Sequence, residues 1–195
     1  MRRYWRQQGY RQRPFWRMMA DAAATLLIAF AILYFLSRFP QLDFQSSVTV
    51  TDGDSLKRGS QRIRLHGIDA PELGQECLDH SGHSYRCGAE ARRILKNLIG
   101  SREISCDIIE TDRYQRDVAR CRVDSVELNR EMVRLGWAVA YHRRSIDYLL
   151  AEAQARAAKR GVWQGEFDLP EDFRAQQRDA IRRGDMLEPE WLEID

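Results

Sequence analysis

The sequence predicts an α+β domain, a small β-barrel with helices packed on it, preceded by one transmembrane helix. Three observations predict it. β-branched and alternating runs crowd the stretch after Ser47, apolar residues at helical spacing begin only near Gly88, and an uncharged apolar run, Ala22 to Leu36, follows a cluster of arginines. Strands first, then a helix, two more strands and two helices is the order expected of a barrel with helices packed on it. The 195 residues leave room for one ordinary domain plus extensions. With 44% of residues hydrophobic, such a domain can bury a core.

The N-terminal 39 residues carry seven Arg and one Asp, and six of those arginines precede Asp21. The apolar run that follows, extended by Met18–Ala20 and Phe39, reaches the low end of the ~17–25 residues that a spanning helix needs. A basic flank holds its side of the helix in the cytoplasm and sends the rest across. Tyr4, Trp5, Phe15 and Trp16 before the run, and Tyr34 and Phe35 late in it, suit the headgroup regions. The competing reading is a cleaved signal peptide, but no small-x-small site follows Leu36. The expectation is a single-pass signal anchor in the inner membrane, with the globular domain on the periplasmic or extracellular side.

Residues 40–46 read as a linker, with Pro40, Gln41, Gln45 and Ser46. The globular domain is expected over 47–164. Val48–Thr51 is β-branched and ends in Asp52-Gly53-Asp54, and Arg62–His66 alternates polar and apolar as a half-buried strand does. Residues 72–87 are polar and read as a loop. Ala91, Ile94, Leu95, Leu98 and Ile99 share a helical face closed by Gly100. Ile104–Ile109 and Val118–Val123 read as strands joined by the turn Thr111–Asp117. Leu128, Met132, Val133 and Leu135 mark a second helix ended by Gly136, and Ala138–Tyr141 a short extended piece. Ser145 is placed to cap a third helix with Ile146, Leu149, Leu150, Ala153 and Ala157 on its apolar face. The tail 165–195 holds four Arg against ten acidic residues and reads as a peripheral acidic extension. The formal net charge of +2 therefore averages a basic start and an acidic end and says little about partners.

The residues that carry chemistry cluster at predicted strand ends. Asp52, Asp54 and Asp69 sit beside glycines, and Glu72 follows Asp69 by three positions. Such hard oxygen donors suit Ca²⁺ or Mg²⁺. Arg64 lies on the strand leading to Asp69, and the turn Asp112-Arg113-Tyr114-Gln115-Arg116 carries two more arginines. The guanidinium is a planar fork of donors that matches phosphate oxygens and stays charged. A divalent cation, a carboxylate to activate water and arginines to neutralise developing charge form the inventory for attack on a phosphodiester. Asp-Gly-Asp is also a common turn, and a strand arginine usually faces solvent, so either motif alone is weak. Order and spacing are what strengthen them.

Taken in order, Val50–Ser55, Ile63-Arg-Leu-His-Gly-Ile-Asp-Ala-Pro-Glu72, Asp112–Arg116, Asn129 to Tyr141 and Gly161-Val-Trp163 resemble the staphylococcal nuclease (thermonuclease) family. The resemblance spans about residues 47–164 and implies a five-stranded OB-like β-barrel with three packed α-helices, in agreement with the element order. It implies Asp54 and Asp69 as Ca²⁺ ligands with the backbone carbonyl of Ala70, which stands where a Thr is common. Asp52 would orient cation-bound waters. It further implies Arg64 and Arg116 as phosphate-clamping arginines, Glu72 as the general base, and Arg113, Tyr114 and Tyr141 as substrate contacts. The implied reaction is water attack on phosphorus with the 5′-oxygen leaving, giving 3′-phosphate ends on DNA or RNA. Ser55 replaces a usual Thr. Gln115 replaces a Gly; if that position needs φ > 0, Gln strains it and misplaces Arg116.

Cys77, Cys87, Cys106 and Cys121 form an even count, which on the oxidising side of a membrane favours disulfides. The local pairing Cys77–Cys87 and Cys106–Cys121 is expected, because an antiparallel pair about the arginine turn sets the latter two nearly opposite each other. Cys77, His80, His83 and Cys87 also have the donor types of a zinc site. His66 is expected to be structural and His142 solvated. Two other classes of function compete with a Ca²⁺-dependent nuclease. One is a non-catalytic OB-type binder of nucleic acid or another polyanion. The other is an envelope assembly factor that holds a protein partner with its acidic tail.

Overall fold

The computed structural model describes residues 27–30, 34, 48–143 and 145–185. The chain divides into two compact units, Met1–Gln45 and Ser46–Asp195. In the first, residues 27–30 are helical, with Leu27, Ile28 and Phe30 exposed. Among the described residues no helix is long and apolar enough to cross a membrane. The expected anchor falls largely outside them, and the linker 40–46 wholly so.

In the second unit the elements run β1 (Val48–Val50), β2 (Ser55–Arg58), β3 (Gln61–Leu65), β4 (Ile68–Asp69), β5 (Cys77–Leu78), β6 (Ser84–Tyr85) and α1 (Cys87–Ile99). After them come β7 (Ile104–Thr111), β8 (Asp117–Val123), β9 (Val126–Glu127), α2 (Leu128–Arg134), β10 (Val139–Ala140) and α3 (Leu149–Ala157). A 3₁₀ turn, Gly161–Gln164, and α4 (Pro170–Arg183) follow. The main sheet has six strands in the order β1-β2-β3-β8-β7, with β9 also on β8. Neighbours are antiparallel except β3 and β8, which are parallel.

The α+β class stands, but in place of the five-stranded OB-like barrel with three helices the described residues form an open six-stranded sheet with more helices. Among the described residues the sheet path ends at β1 and β7, β4 pairs only β10, and the second unit has four α-helices. Of the two end strands, β1 has only three residues and β7 has a register shift between Ile108 and Glu110.

The core lies between this sheet and the first helices. Leu56, Ile63, Leu65 and Ile68 meet Ala91 and Leu95 of α1 and Leu128, Met132 and Val133 of α2, all fully buried. The α1 residues are those the helical spacing singled out. Buried Asn129 sews the layers together: its amide donates to the carbonyls of His66 (2.9 Å) and Ala119 (3.1 Å) and accepts from the Cys121 N–H (3.0 Å).

Three local expectations need correction. The polar stretch 72–87 holds a short hairpin, β5 with β6. Helix α3 does not bury the face assigned to it: Ile146 and Leu150 are 74% and 70% exposed, while Ala151, Glu152 and Ala155 face inward. Glu152 is tolerated there because it accepts the Ala140 N–H (3.2 Å) and lies 3.1 Å from His142 Nε2. Ser145 does not cap α3; its hydroxyl accepts the Asp147 N–H instead, and Tyr148 stands at the helix start without a side-chain cap. The tail forms α4, begun by Pro170 at its first turn and ended by Gly184 in the left-handed conformation.

Both local disulfides are present, Cys77–Cys87 and Cys106–Cys121. The second links residues directly opposite in the β7–β8 register. With both sulfurs of the loop bonded to each other, the zinc alternative loses two of its four donors, and the His83 side chain is 81% exposed.

Candidate active site

The β2–β3 register sets Ser55 opposite Arg64, which brings the end of the Asp52-Gly-Asp54 turn against the arginine. Asp69 ends β4, held in place by Val139 of β10. Asp54 and Asp69 are 3% and 2% exposed, so neither carboxylate is solvated and each needs partners inside the protein. Arg64 supplies them. Its Nη1 donates to Asp54 Oδ1 (3.0 Å), and its Nη2 lies 3.0 Å from Asp54 Oδ2 and 2.7 Å from Asp69 Oδ1. Asp54 also accepts the Ser55 hydroxyl (3.0 Å) and the Ala70 N–H (3.0 Å). Asp52 caps the turn by accepting the Asp54 N–H (2.9 Å).

Glu72 stands on the loop after β4. Its backbone N–H donates to Gln75 Oε1 (3.2 Å), and its carbonyl accepts the Gln75 N–H (2.8 Å). Helix α1 starts hard against this loop: a Cβ on Gly88 would sit 1.7 Å from the Glu72 carbonyl oxygen. Only glycine permits that approach, so Gly88 helps set where Glu72 can be.

The electrostatics follow from crowding. Burial and the charge of Asp54 push Asp52 up to about 7. Burial raises Asp69 and Glu72 above the usual carboxylate range, opposed by hydrogen bonds from Arg174. Burial works against the charge on Arg64, but Asp54 and Asp69 more than offset it, so that guanidinium is held charged. Removing one partner of such a buried pair typically costs ~3–5 kcal/mol, so Arg64 is structural as well as chemical.

The arginine turn behaves differently. Asp112 accepts the backbone N–H groups of Tyr114 (2.9 Å) and Arg116 (3.0 Å), and its Oδ2 accepts Arg116 Nε (2.9 Å). Arg113 Nη2 donates to the Tyr114 hydroxyl (2.7 Å), and the guanidinium carbons of Arg113 and Arg116 lie 4.8 and 5.4 Å from that ring's centre. Gln115 does adopt positive φ, at 60°. These contacts of Arg116 run to its own turn, and the second guanidinium on the carboxylates belongs to a residue that the sequence motifs do not mark. Arg174 of α4 donates to Asp69 Oδ1 (3.0 Å) and Oδ2 (2.8 Å) and to Glu72 Oε1 (2.6 Å). Pro170 followed by Glu171 and Asp172 signals a helix start, but nothing in the charged tail says where Arg174 reaches. Tyr141 and His142 line a cavity of about 170 Å³ that also takes in Asp69, Arg143, Glu152 and Leu169.

The donor chemistry fits a hard divalent cation. Two buried carboxylates converge on one point, the Nη2 of Arg64, and burial together with the charge of Asp54 raises the neighbouring Asp52. Among the described residues no group of three or more His, Cys, Asp or Glu forms a cage for a metal ion. A cation at Asp54 and Asp69 would complete its ligands with carbonyl and water oxygens, as such ions commonly do.

The family described as "Staphylococcal nuclease homologue" matches residues 62–165. That span takes in Arg64, Asp69, Glu72 and the arginine turn, while Asp52 and Asp54 precede it and stand on their geometry. The chain is 36% identical over 124 residues to the succinoglycan biosynthesis protein ExoI of Rhizobium meliloti, covering 60% of this chain and 63% of that one. It is 30% identical over 162 residues to an uncharacterized endonuclease of Haemophilus influenzae, covering 79% and 84%. It is 30% identical over 136 residues to the probable staphylococcal-like nuclease CAN2 of Oryza sativa, covering 68% of this chain and 34% of that one. It thus spans less than two thirds of the Rhizobium protein and about a third of the rice one. The order of the motifs, the convergence of their side chains and these matches agree: the chain belongs to the staphylococcal nuclease homologue family.

Proposed function

We propose that this chain is a hydrolase of phosphodiester bonds, a Ca²⁺-dependent endonuclease acting on DNA or RNA. One observation carries the reading: Asp54, Arg64 and Asp69 meet in one buried hydrogen-bonded cluster, and Glu72, three residues on from Asp69, is joined to it through Arg174. Asp54, Asp69 and the Ala70 carbonyl would hold the cation, with Asp52 orienting its waters. When bound, the cation polarises the phosphate and offsets its charge.

The chain's own residues do the rest. Glu72, raised above the ordinary carboxylate range by burial, is suited to take a proton from attacking water. Arg64 presents a fixed charge where the phosphorus gains a fifth oxygen. Arg116 joins it when substrate draws its guanidinium off Asp112, and Arg113, Tyr114 and Tyr141 contact the nucleotide. Water's oxygen bonds to phosphorus, the bond to the 5′-oxygen breaks, and the products are a 3′-phosphate and a 5′-hydroxyl. The test is a zymogram of the full chain on DNA and on RNA with Ca²⁺ or chelator. Cleavage in excess chelator rejects the cation, and no cleavage with Ca²⁺ favours the binding module.

The domain acts outside the cytoplasm, tethered by residues 1–39. The arginine-rich start supports this, as do the exposed apolar side chains of Leu27, Ile28 and Phe30 and two disulfides that need an oxidising compartment. Retention in the membrane after a carbonate wash, with the domain open to external protease, is the expected outcome. A soluble product beginning near Pro40 would contradict it.

A further inference from the structure

Helix α4 lies beyond the residues matched to the family, yet it places a side chain on the two carboxylates that the chemistry most needs. Arg174 engages both oxygens of Asp69 and one of Glu72. A cation ligand must turn a lone pair to the ion, and a general base must turn one to water. While the guanidinium is seated, both oxygens of Asp69 and Oε1 of Glu72 are occupied. We propose that α4 is a latch on the active site: Arg174 holds Asp69 and Glu72 in the cation-free chain, and a divalent cation enters as that guanidinium leaves. The proposal rests on reading the cluster as a cation-dependent nuclease site.

The latch is built at one end and loose at the other. Gln75, fully buried, accepts the Glu72 N–H and donates through Nε2 to the Asp168 carbonyl (2.7 Å), so one side chain fixes both the base loop and the entry to α4. The Leu78 N–H donates to the Glu166 carbonyl (2.8 Å). Phe167 packs edge-on to Trp163 (4.9 Å between ring centres), beside the Cys77–Cys87 disulfide. A Cβ on Gly165 would lie 2.2 Å from the Leu78 carbonyl oxygen, so the chain leaves the domain through a gap that only glycine fits. Beyond that anchor the helix buries only Pro170. On its outer turns Phe173, Ala175 and Ile181 are half-buried and no apolar side chain is fully buried, so packing resists a swing about residues 168–170 only weakly. To that packing is added the charge pairing of Arg174 with Asp69 and Glu72, and a divalent cation is a direct competitor for it.

The test uses the full-length chain purified in detergent, with Ca²⁺ as probe and no nucleic acid. Calcium affinity is measured by calorimetry for the wild type, Arg174→Gln and Arg178→Gln. The last removes the same charge from an exposed position of the same helix. Arg174→Gln should bind Ca²⁺ at least ~5-fold more tightly, the lower end of ordinary coupling between two sites, and Arg178→Gln should match the wild type. Hydrogen exchange supplies the second readout: Ca²⁺ should speed exchange of the α4 amides in the wild type, and in Arg174→Gln they should be fast already. Equal or weaker Ca²⁺ binding by Arg174→Gln, no binding by either protein, or α4 protection indifferent to Ca²⁺ overturns the latch. Lower turnover at unchanged affinity also overturns it and makes Arg174 a substrate contact. Cleavage assays on the same samples keep the two ideas apart. Tighter binding with no cleavage by either protein at saturating Ca²⁺ leaves the latch standing and removes the nuclease reading.

Discussion

Two arginine-bearing regions of the molecule differ in what holds their charge. In the β7–β8 turn Arg116 is paired to Asp112, four residues away and on the same turn, and rests near the Tyr114 ring. In α4 Arg174 is paired to Asp69 and Glu72, about a hundred residues back along the chain. The first region satisfies itself locally, so its geometry is written into a short motif. The second satisfies itself only on a folded domain, so its motif is silent about where it goes. The comparison teaches that a short motif can write its own geometry, while the partner of a buried carboxylate is decided by residues far away in the chain.

The largest expected effects test whether the local arginine or the distant one serves the reaction. Glu72→Gln should lower kcat by about 10²–10⁴, the usual worth of a positioned base, while the melting temperature holds. Arg116→Ala should cost about 10²–10³ with its turn intact. A near-wild-type rate for Arg116→Ala would break the comparison, leaving the self-paired turn a structural one.

Next in size is the staple at the base of that turn. Cys106 and Cys121 are separated by 15 residues, and their closure by a bond should stabilise by about 3 kcal/mol on chain-entropy grounds. Cys106→Ser with Cys121→Ser should lower the midpoint of a denaturant titration accordingly. An unchanged midpoint would mean that the β7–β8 ladder alone fixes the turn.

Two smaller effects sharpen the contrast in each region. Asp52 binds a proton in the folded chain up to about pH 7, but near its ordinary value of 3.8 when unfolded. The stability it contributes is therefore full below the unfolded value and is lost as pH rises through the folded one. In chelator, Asp52→Asn should raise the melting temperature little near pH 4 and more near pH 8. A gain independent of pH would remove Asp52 as the titrating group. In the turn, Gln115 at φ 60° takes a conformation that costs a side chain roughly 1 kcal/mol relative to glycine. Gln115→Gly should recover about that much in thermal unfolding, and a loss would show that the Gln side chain anchors Arg116.

Sequence alone determined what depends on neighbours in the chain. The α+β class, α1 with its buried Ala91, Leu95 and Ile99, the β7–β8 hairpin and both disulfides followed from periodicity and spacing. So did the residue types that meet at the carboxylate cluster, and the positive φ at Gln115 that motif comparison flagged. Periodicity failed on α3, where helical spacing named Ile146 and Leu150 as core, though the helix turns Ala151, Glu152 and Ala155 inward. A buried glutamate looks like a surface residue until Ala140 and His142 are brought to it. Tertiary structure alone decided the open ends of the sheet, the docking of α4 through Gln75 and Asp168, and the seat of Arg174 on Asp69 and Glu72. The physical reason is range: hydrophobic period and turn chemistry act over a few residues, whereas a long charged side chain goes wherever the folded chain offers it a buried carboxylate.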